Sequence, residues 1–446
     1  MPKKRIHIST ARIIALGFFA LILCGTVLLM LPISTKDRFG ASFLDALFTA
    51  VSATCVTGLV VQSTAVYWSA FGQAVILMLI QIGGMGVITV ALLLSIFMRR
   101  RVNLQTRLVM QESISAPQMG NIMSKTVTIV RTIFLIELLG ASLLAIRFVP
   151  QYGAKGIWFS VFHSISAFCN AGFDILGTPE APFPSMVPFA FDPLVIVTLC
   201  VLIVVGGIGF FVWQDFSDYK LRLSRMSLQT KLVLLTTALL LSFGFVFFFF
   251  YEFRQPQWAD FTTGQRVWAA LFQAVTPRTA GFNTVDYGSM SQTSLLVTIF
   301  LMLVGGSPGS TAGGLKTTTL ALLVLNMRAA FLRRKHIQCF RRRISEEVIR
   351  NASALLTLYL TLFLVGGGAI CCIENVSLIY ALFESASAIG TAGLTCGITT
   401  SLSPVSHVIL AFLMYLGRVG GLTMLYAVTP DNTIVTLYPQ ETVNIG

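Results

Sequence analysis

The chain has 446 residues, 55% of them hydrophobic and 11% charged, and Lys plus Arg outnumber Asp plus Glu by 31 to 18. With a mean hydropathy of +0.81, this composition excludes a soluble multi-domain enzyme and predicts an integral membrane protein. The net charge of +13 also admits a nucleic-acid reading. However, the cations follow the ends of apolar runs and no aromatic-basic module accompanies them, so no nucleic-acid partner is expected.

In chain order, eight stretches reach the roughly 20 apolar residues that a helical span needs. They are Ile13–Leu31, Phe71–Met98, Val127–Val149, Leu194–Trp213, Leu232–Tyr251, Leu295–Leu325, Ala352–Cys372 and Val405–Val428. The first run follows Lys3, Lys4 and Arg5 but ends in Leu-Pro-Ile-Ser without a small-x-small cleavage pattern, so it reads as a retained helix. Between the members of each pair lies a short Phe-led segment that runs into a Ser/Thr-Ala-Gly type of turn. The four copies begin at Phe48, Phe162, Phe272 and Phe383, and their central glycines are Gly58, Gly172, Gly281 and Gly393, spaced by 114, 109 and 112 residues. The unit is therefore helix, re-entrant loop, helix, repeated four times: an all-α membrane fold of eight spans in pseudo-fourfold arrangement around one pore.

Boundaries follow from this pattern. Repeat 1 covers 1–98, a cytoplasmic linker 99–126, repeat 2 127–215, a linker 216–230, repeat 3 231–328, a basic linker 329–351, repeat 4 352–428 and a tail 429–446. Of the 31 Lys and Arg residues, 22 fall at the N-terminus and in the stretches Arg99–Arg131, Lys220–Lys231 and Arg328–Arg350 in and beside the three linkers, which puts both termini in the cytoplasm by the positive-inside bias. The densest run, Arg333–Arg343, suits either anionic lipid headgroups or an acidic cytoplasmic partner. The eight cysteines and four histidines show no metal-ligand spacing.

A ring of backbone carbonyls replaces a cation's hydration shell without fixed charge, and glycine supplies the dihedrals that such a segment needs. The expected filter segments are Val56, Thr57 and Gly58; Asn170, Ala171 and Gly172; Thr279, Ala280 and Gly281; and Thr391, Ala392 and Gly393. Each preceding short helix aims the negative end of its dipole at the pore, favouring cations. The third copy is one residue shorter between its hydroxyl residue, Thr276, and its glycine, which leaves its place in the ring open.

Two features mark a gate. The second span of repeat 3 is interrupted at 305–319 by Gly305, Gly306, Ser307, Pro308, Gly309, Ser310, Thr311, Ala312, Gly313, Gly314 and Lys316 among others. Glycine and proline there cannot continue a lipid-facing helix, and at about 1.5 Å per residue the break lies roughly 15 Å below Leu295. Gly309–Thr317 approximates a phosphate-binding GxxxxGK[ST] loop, but Leu315 separates Gly314 from Lys316 and no strand precedes it. Arg418, within the last span, faces the pore and bonds to loop carbonyls, or snorkels to the inner surface. Among intramembrane acids, Asp174 is placed to concentrate cations at the mouth, and Glu137 is a structural partner near Arg131. GlyGlyMetGly at Gly83 and GlyGlyIleGly at Gly206 permit close helix approach or bending.

These repeats resemble the Trk/Ktr/HKT superfamily of potassium transporters, and the eight-span layout is similar to the membrane subunit of the Ktr system. The resemblance covers nearly the whole chain. It implies that Gly58, Gly172, Gly281 and Gly393 are the four filter glycines, and that Gly58, where sodium-favouring plant members carry serine, goes with potassium. It further implies the 305–319 gate loop, a matching arginine at Arg418, a homodimer, a soluble cytoplasmic nucleotide-binding ring of the KtrA type, and sodium stimulation. Potassium in the filter is the only ion expected, with no other cofactor, no catalysed reaction, and residence in the plasma membrane among its lipids. The rival readings are a secondary transporter for an organic solute, which places broken helices in two inverted halves, and a membrane-embedded enzyme, for which clustered catalytic residues are lacking.

Overall fold

A computed structural model describes residues 10–86, 122–220, 222–421 and 423. The first nine residues, most of the 99–126 linker, the 429–446 tail and the far ends of Phe71–Met98 and Val405–Val428 lie outside the described residues. Four units follow one another. Unit 1 contains α1 (Thr10–Met30), α2 (Phe43–Cys55) and α3 (Ala70–Met85); unit 2 contains α4 (Ile122–Tyr152), α5 (Lys155–Phe168), α6 (Pro193–Gly207) and α7 (Phe210–Tyr219). Unit 3 contains α8 (Leu228–Phe250), α9 (Thr263–Val275), α10 (Gln292–Leu303) and α11 (Thr317–Phe331). A short hairpin, β1 (Gln338–Cys339) with β2 (Arg342–Arg343), leads to unit 4: α12 (Glu346–Glu374), α13 (Leu378–Gly390) and α14 (Pro404–Val419).

Among the described residues four helices are long and apolar enough to cross a membrane, and five if α6 and α7 count as one span. They carry their large apolar residues outward, as on α1 with Leu16, Phe19, Leu23 and Val27 and on α4 with Phe134, Leu135, Leu138 and Leu139. Hydrocarbon around the protein makes such exposure favourable. The helices start on polar caps: Ser42, Ser69, Asp192, Ser227, Thr262 and Ser291 each accept from a backbone N–H of the first turn.

Three expectations about the spans need correction. Leu194–Trp213 is not one straight span, because α6 and α7 meet at 90° across Ile208 and Gly209. Gly209 stands at φ 97, which only glycine adopts cheaply. The break in unit 2 joins that expected in unit 3, and α3 and α14 also end at positive-φ glycines, Gly86 at φ 87 and Gly420 at φ 91. Finally, α4 begins at Ile122, so the end of the 99–126 segment is helical.

In units 3 and 4 the paired helices are clasped at one end by a carboxylate, buried in Glu252 and partly exposed in Glu374. In unit 3 the Glu252 carboxylate accepts from Trp258 Nε1 at 2.9 Å and from Ser291 Oγ and Ser294 Oγ at 2.7 Å each. In unit 4 Glu374 likewise accepts from Ser406 Oγ at 2.5 Å and Ser403 N at 2.9 Å. Glu252→Ala strands several buried donors, each hydrogen bond to the carboxylate having contributed about 1.5–3 kcal/mol. A clear fall in the melting temperature of the detergent-solubilised protein is expected, with Glu252→Gln losing less.

Candidate ion pathway

The four short helices α2, α5, α9 and α13 point into the middle of the bundle, and their leading residues Phe48, Phe162, Phe272 and Phe383 are buried. After each helix, directly or within four residues, the chain reaches a residue with positive φ: Val56 at 57, Asn170 at 59, Thr279 at 71 and Thr391 at 51. Thr57, Ala171, Ala280 and Ala392 follow, and then Gly58, Gly172, Gly281 and Gly393 at φ 98, 68, 78 and 80. Left-handed backbone at non-glycine residues costs about 1–3 kcal/mol each, and it recurs here at the same place in all four units.

The shorter third copy is accommodated before its segment begins. Thr57 N, Ala171 N and Ala392 N donate to Ser52 O, Ser166 O and Ser387 O, five residues back, at 2.8, 2.7 and 2.7 Å. Ala280 N donates only four residues back, to Thr276 O, at 3.0 Å. The turn takes up the missing residue, and Gly281 arrives level with the others.

The four glycines close a ring. A Cβ on Gly58 would strike Ala171 O; on Gly172 it would lie 2.7 Å from Ala280 O; on Gly281 2.9 Å from Ala392 O; and on Gly393 it would strike Thr57 O. Each glycine therefore faces the carbonyl oxygen just before the next unit's glycine, and the fourth returns to the first. Among the described residues none of these four carbonyls accepts a hydrogen bond. Thr57 Oγ1 and Thr391 Oγ1, next to the ring, are buried and also without a partner. Neutral oxygens left unpaired in a buried ring fit a permeating monovalent cation. On one side, a cavity of about 200 Å³ is lined by all four glycines together with Asp174 and Asp286. Asp286 was not singled out from the sequence.

Beneath the ring each second helix reaches a glycine packed against its neighbours. A Cβ on Gly83, Gly206 or Gly417 would strike Thr54 O, Phe168 O or Ile389 O at the end of the same unit's short helix. The next residue is Gly84, Gly207, Gly306 or Arg418. Arg418 thus takes the place that glycine holds in the other three units, and its guanidinium fills the space they leave. It donates to Thr311 O, to Gly83 O and, at 3.2 Å, to Gly84 O. The link to unit 1 was not anticipated from the sequence.

The 305–316 segment is stitched to every side of this space. Ser307 N and Thr311 N donate to Gly207 O and Gly206 O at 2.9 and 3.3 Å, and Gly314 N to Gly417 O at 3.3 Å. Thr311 Oγ1 reaches Phe168 O at 3.1 Å, Ser307 Oγ meets Thr317 Oγ1 at 2.9 Å, and Ser310 Oγ closes on Ser307 O at 2.7 Å. Phe210 N donates to Gly309 O at 2.7 Å and Thr317 N to Gly306 O at 3.1 Å. Pro308 O lies against Gly209, and Gly313 abuts Thr391 directly under the ring. Lys316 Nζ caps Ala312 O at 2.8 Å. A second cavity of about 190 Å³ lies beyond the segment, lined by Gly84, Ser310, Ala312, Lys316 and Arg418.

Two buried groups lie behind the ring. Arg278, just before the third ring segment, sends Nη2 to Gly305 O at 3.3 Å, and its Nε has no partner among the described residues. Glu137 accepts from Gln81 Nε2 at 2.9 and 3.2 Å and lies 3.9 Å from Cys169 Sγ. Its partners are on α3 and α5, inside the bundle, whereas Arg131 is exposed. Asp174 accepts from Leu176 N at 3.2 Å.

Four parallel helix, re-entrant loop, helix units around a ring of unpaired carbonyls define a multi-pass membrane protein of the pore-forming class. Residues 10–436 match the TrkH family of cation transport proteins, and the chain belongs to that family, within the Trk/Ktr/HKT superfamily. It is 38% identical to the potassium/sodium uptake protein NtpJ of Enterococcus hirae, over 100% of this chain and 99% of that protein. It is also 38% identical to the Ktr system potassium uptake protein B of Bacillus subtilis, over 99% and 98% of the two chains. The crystal structure of the potassium transporter TrkH from Vibrio parahaemolyticus superposes with a TM-score of 0.75 over 96% of this chain and 86% of that one, at 18% identity, showing a common fold.

Proposed function

We propose that the protein takes up potassium across the cell membrane through the glycine ring. The observation that carries this reading is the cyclic packing of each ring glycine on the carbonyl before the next. The names of the two bacterial relatives, a potassium/sodium uptake protein and a potassium uptake protein, support it. No reaction is catalysed. Potassium binds between the carbonyls of Thr57, Ala171, Ala280 and Ala392 and their neighbours, and Asp174 and Asp286 draw cations to the outer mouth. The positive-inside bias of the basic linkers supports a cytoplasmic reading of both termini, and on that reading the cavity beyond the 305–316 segment faces inward. A secondary transporter for an organic solute fits less well, because four helix, re-entrant loop, helix units run in parallel rather than as two inverted halves.

The 305–316 segment and Arg418 form the gate. Opening requires the hydrogen bonds from Ser307, Thr311 and Gly314 to the glycine carbonyls around them to break. Arg278 is a fourth tie, from the ring segment to the first residue of the loop. Arg278→Met is expected to raise rubidium flux several-fold, an effect that vanishes when Ser310, Thr311 and Ala312 are deleted, while Arg278→Lys retains most of the restraint. Equal effects with and without the loop would assign Arg278 to general stability. Kinship with the Ktr system supports assembly as a homodimer on a cytoplasmic nucleotide-binding ring of the KtrA type, with sodium stimulation as part of the same reading. Rubidium uptake into proteoliposomes, competed by potassium and by sodium, tests the function.

A further inference from the structure

The basic run between units 3 and 4 is a built feature rather than a loose charged loop. After α11, Arg334 N turns back to Ala329 O at 2.9 Å, and Ile344 N pairs with Ile337 O at 3.0 Å across the hairpin. The hairpin register pairs Cys339 with Arg342 and leaves Phe340 and Arg341 as the turn, at φ 48 and 62. Such a turn normally takes Asn-Gly. Here it instead holds an aromatic residue at its tip, with Lys231 Nζ 5.9 Å from the ring centre. A cavity of about 210 Å³ lies between α11 and the hairpin, lined by Arg328, Leu332, Arg334, His336 and Phe340.

The surroundings specify a ligand. Arg328, Arg333, Arg334, Lys335, Arg341, Arg342 and Arg343 crowd this corner, and among the described residues none of them forms an ion pair with a carboxylate. Beside them, Phe331 is 81% exposed and Leu332 and Phe340 about half exposed. Only residues 332–345 connect α11 to α12, which keeps these cations at the membrane boundary. Unpaired guanidiniums around a cavity, flanked by outward apolar side chains at that level, match a phosphodiester headgroup whose acyl chains lie alongside.

We infer that this cavity binds the headgroup of an anionic phospholipid in the cytoplasmic leaflet and that its occupancy biases the gate through α11. That helix starts at Thr317, directly after Lys316, and ends at the cavity. Only Thr317, Thr319 and Ala329 along it are buried, so packing fixes its position weakly. The effect on the gate rests on the reading of 305–316 as a gate; the binding itself does not.

The test uses the full chain in detergent, titrated with a fluorescent phosphatidylglycerol, with phosphatidylcholine and inorganic phosphate as competitors. Arg328→Gln/Arg334→Gln should weaken phosphatidylglycerol binding by about tenfold or more, and Arg341→Gln/Arg342→Gln, which removes equal charge outside the cavity lining, should weaken it much less. All four positions are exposed, and unchanged melting temperatures confirm intact folding. Equal losses in the two variants, or no preference over phosphatidylcholine, would overturn the site; displacement by inorganic phosphate would replace the lipid with a soluble anion. In proteoliposomes, wild-type rubidium flux should respond to phosphatidylglycerol and the cavity variant should not. Binding without any response of flux would overturn the coupling alone, and absence of rubidium flux in every lipid would count against the transport reading instead.

Discussion

Gly172→Ala is expected to reduce rubidium flux by at least about 100-fold, equivalent to about 2.7 kcal/mol, while the protein still elutes as a folded species. The added Cβ would stand 2.6 Å from Gly281 Cα and 2.7 Å from Ala280 O, distances that require backbone to move. The backbone at φ 68 adds about 1–2 kcal/mol of left-handed strain for any side chain. Both penalties fall on the carbonyl ring itself, so the loss appears in conduction first. Gly368→Ala is the matched control: it adds a methyl to a glycine with nothing within 4 Å, and flux should be unchanged. The flux of both variants, normalised to reconstituted protein, decides the matter, and near-wild-type flux in Gly172→Ala would remove the ring from the pathway.

Arg418→Gln should produce the opposite sign. The guanidinium joins Thr311 O of the loop to Gly83 O and Gly84 O of unit 1, and it puts a full positive charge directly under a cation path. Hydrogen bonds from charged donors contribute about 1.5–3 kcal/mol each. Relaxing the closed arrangement by even about 1.4 kcal/mol multiplies flux tenfold, so a rise of about tenfold is expected without any regulatory partner. Glutamine retains one donor and should leave the fold intact, with a modestly lower melting temperature. Unchanged flux would take Arg418 out of the gate.

The units were legible because their chemistry is local and repeated. A buried Phe, a short helix and a turn ending in glycine occur four times in sequence, and the structure brings the four turns to one ring. Continuity of the spans was less legible. Leu194–Trp213 is apolar throughout, and hydropathy does not register that Gly209 bends the chain by 90°. The glycine pairs at Gly83 and Gly206 were visible, but their kinship with Gly417-Arg418 emerges only from what each glycine packs against in space. Arg418 stood out as a charge at depth, yet its bonds to Gly83 and Gly84 span more than 330 residues of chain. Glu137 was read as a structural partner inside the bundle, but that its partner is Gln81, 56 residues away, shows only in space.

The central claim is that potassium passes through the ring made by Gly58, Gly172, Gly281 and Gly393. Rubidium-tracer uptake into proteoliposomes loaded with potassium, competed from outside by potassium or by sodium, with Gly281→Asp as control, tests it most directly. The account predicts uptake that potassium suppresses far more strongly than sodium does, and none in the control. Equal suppression by the two ions, or undiminished uptake in Gly281→Asp, would contradict it.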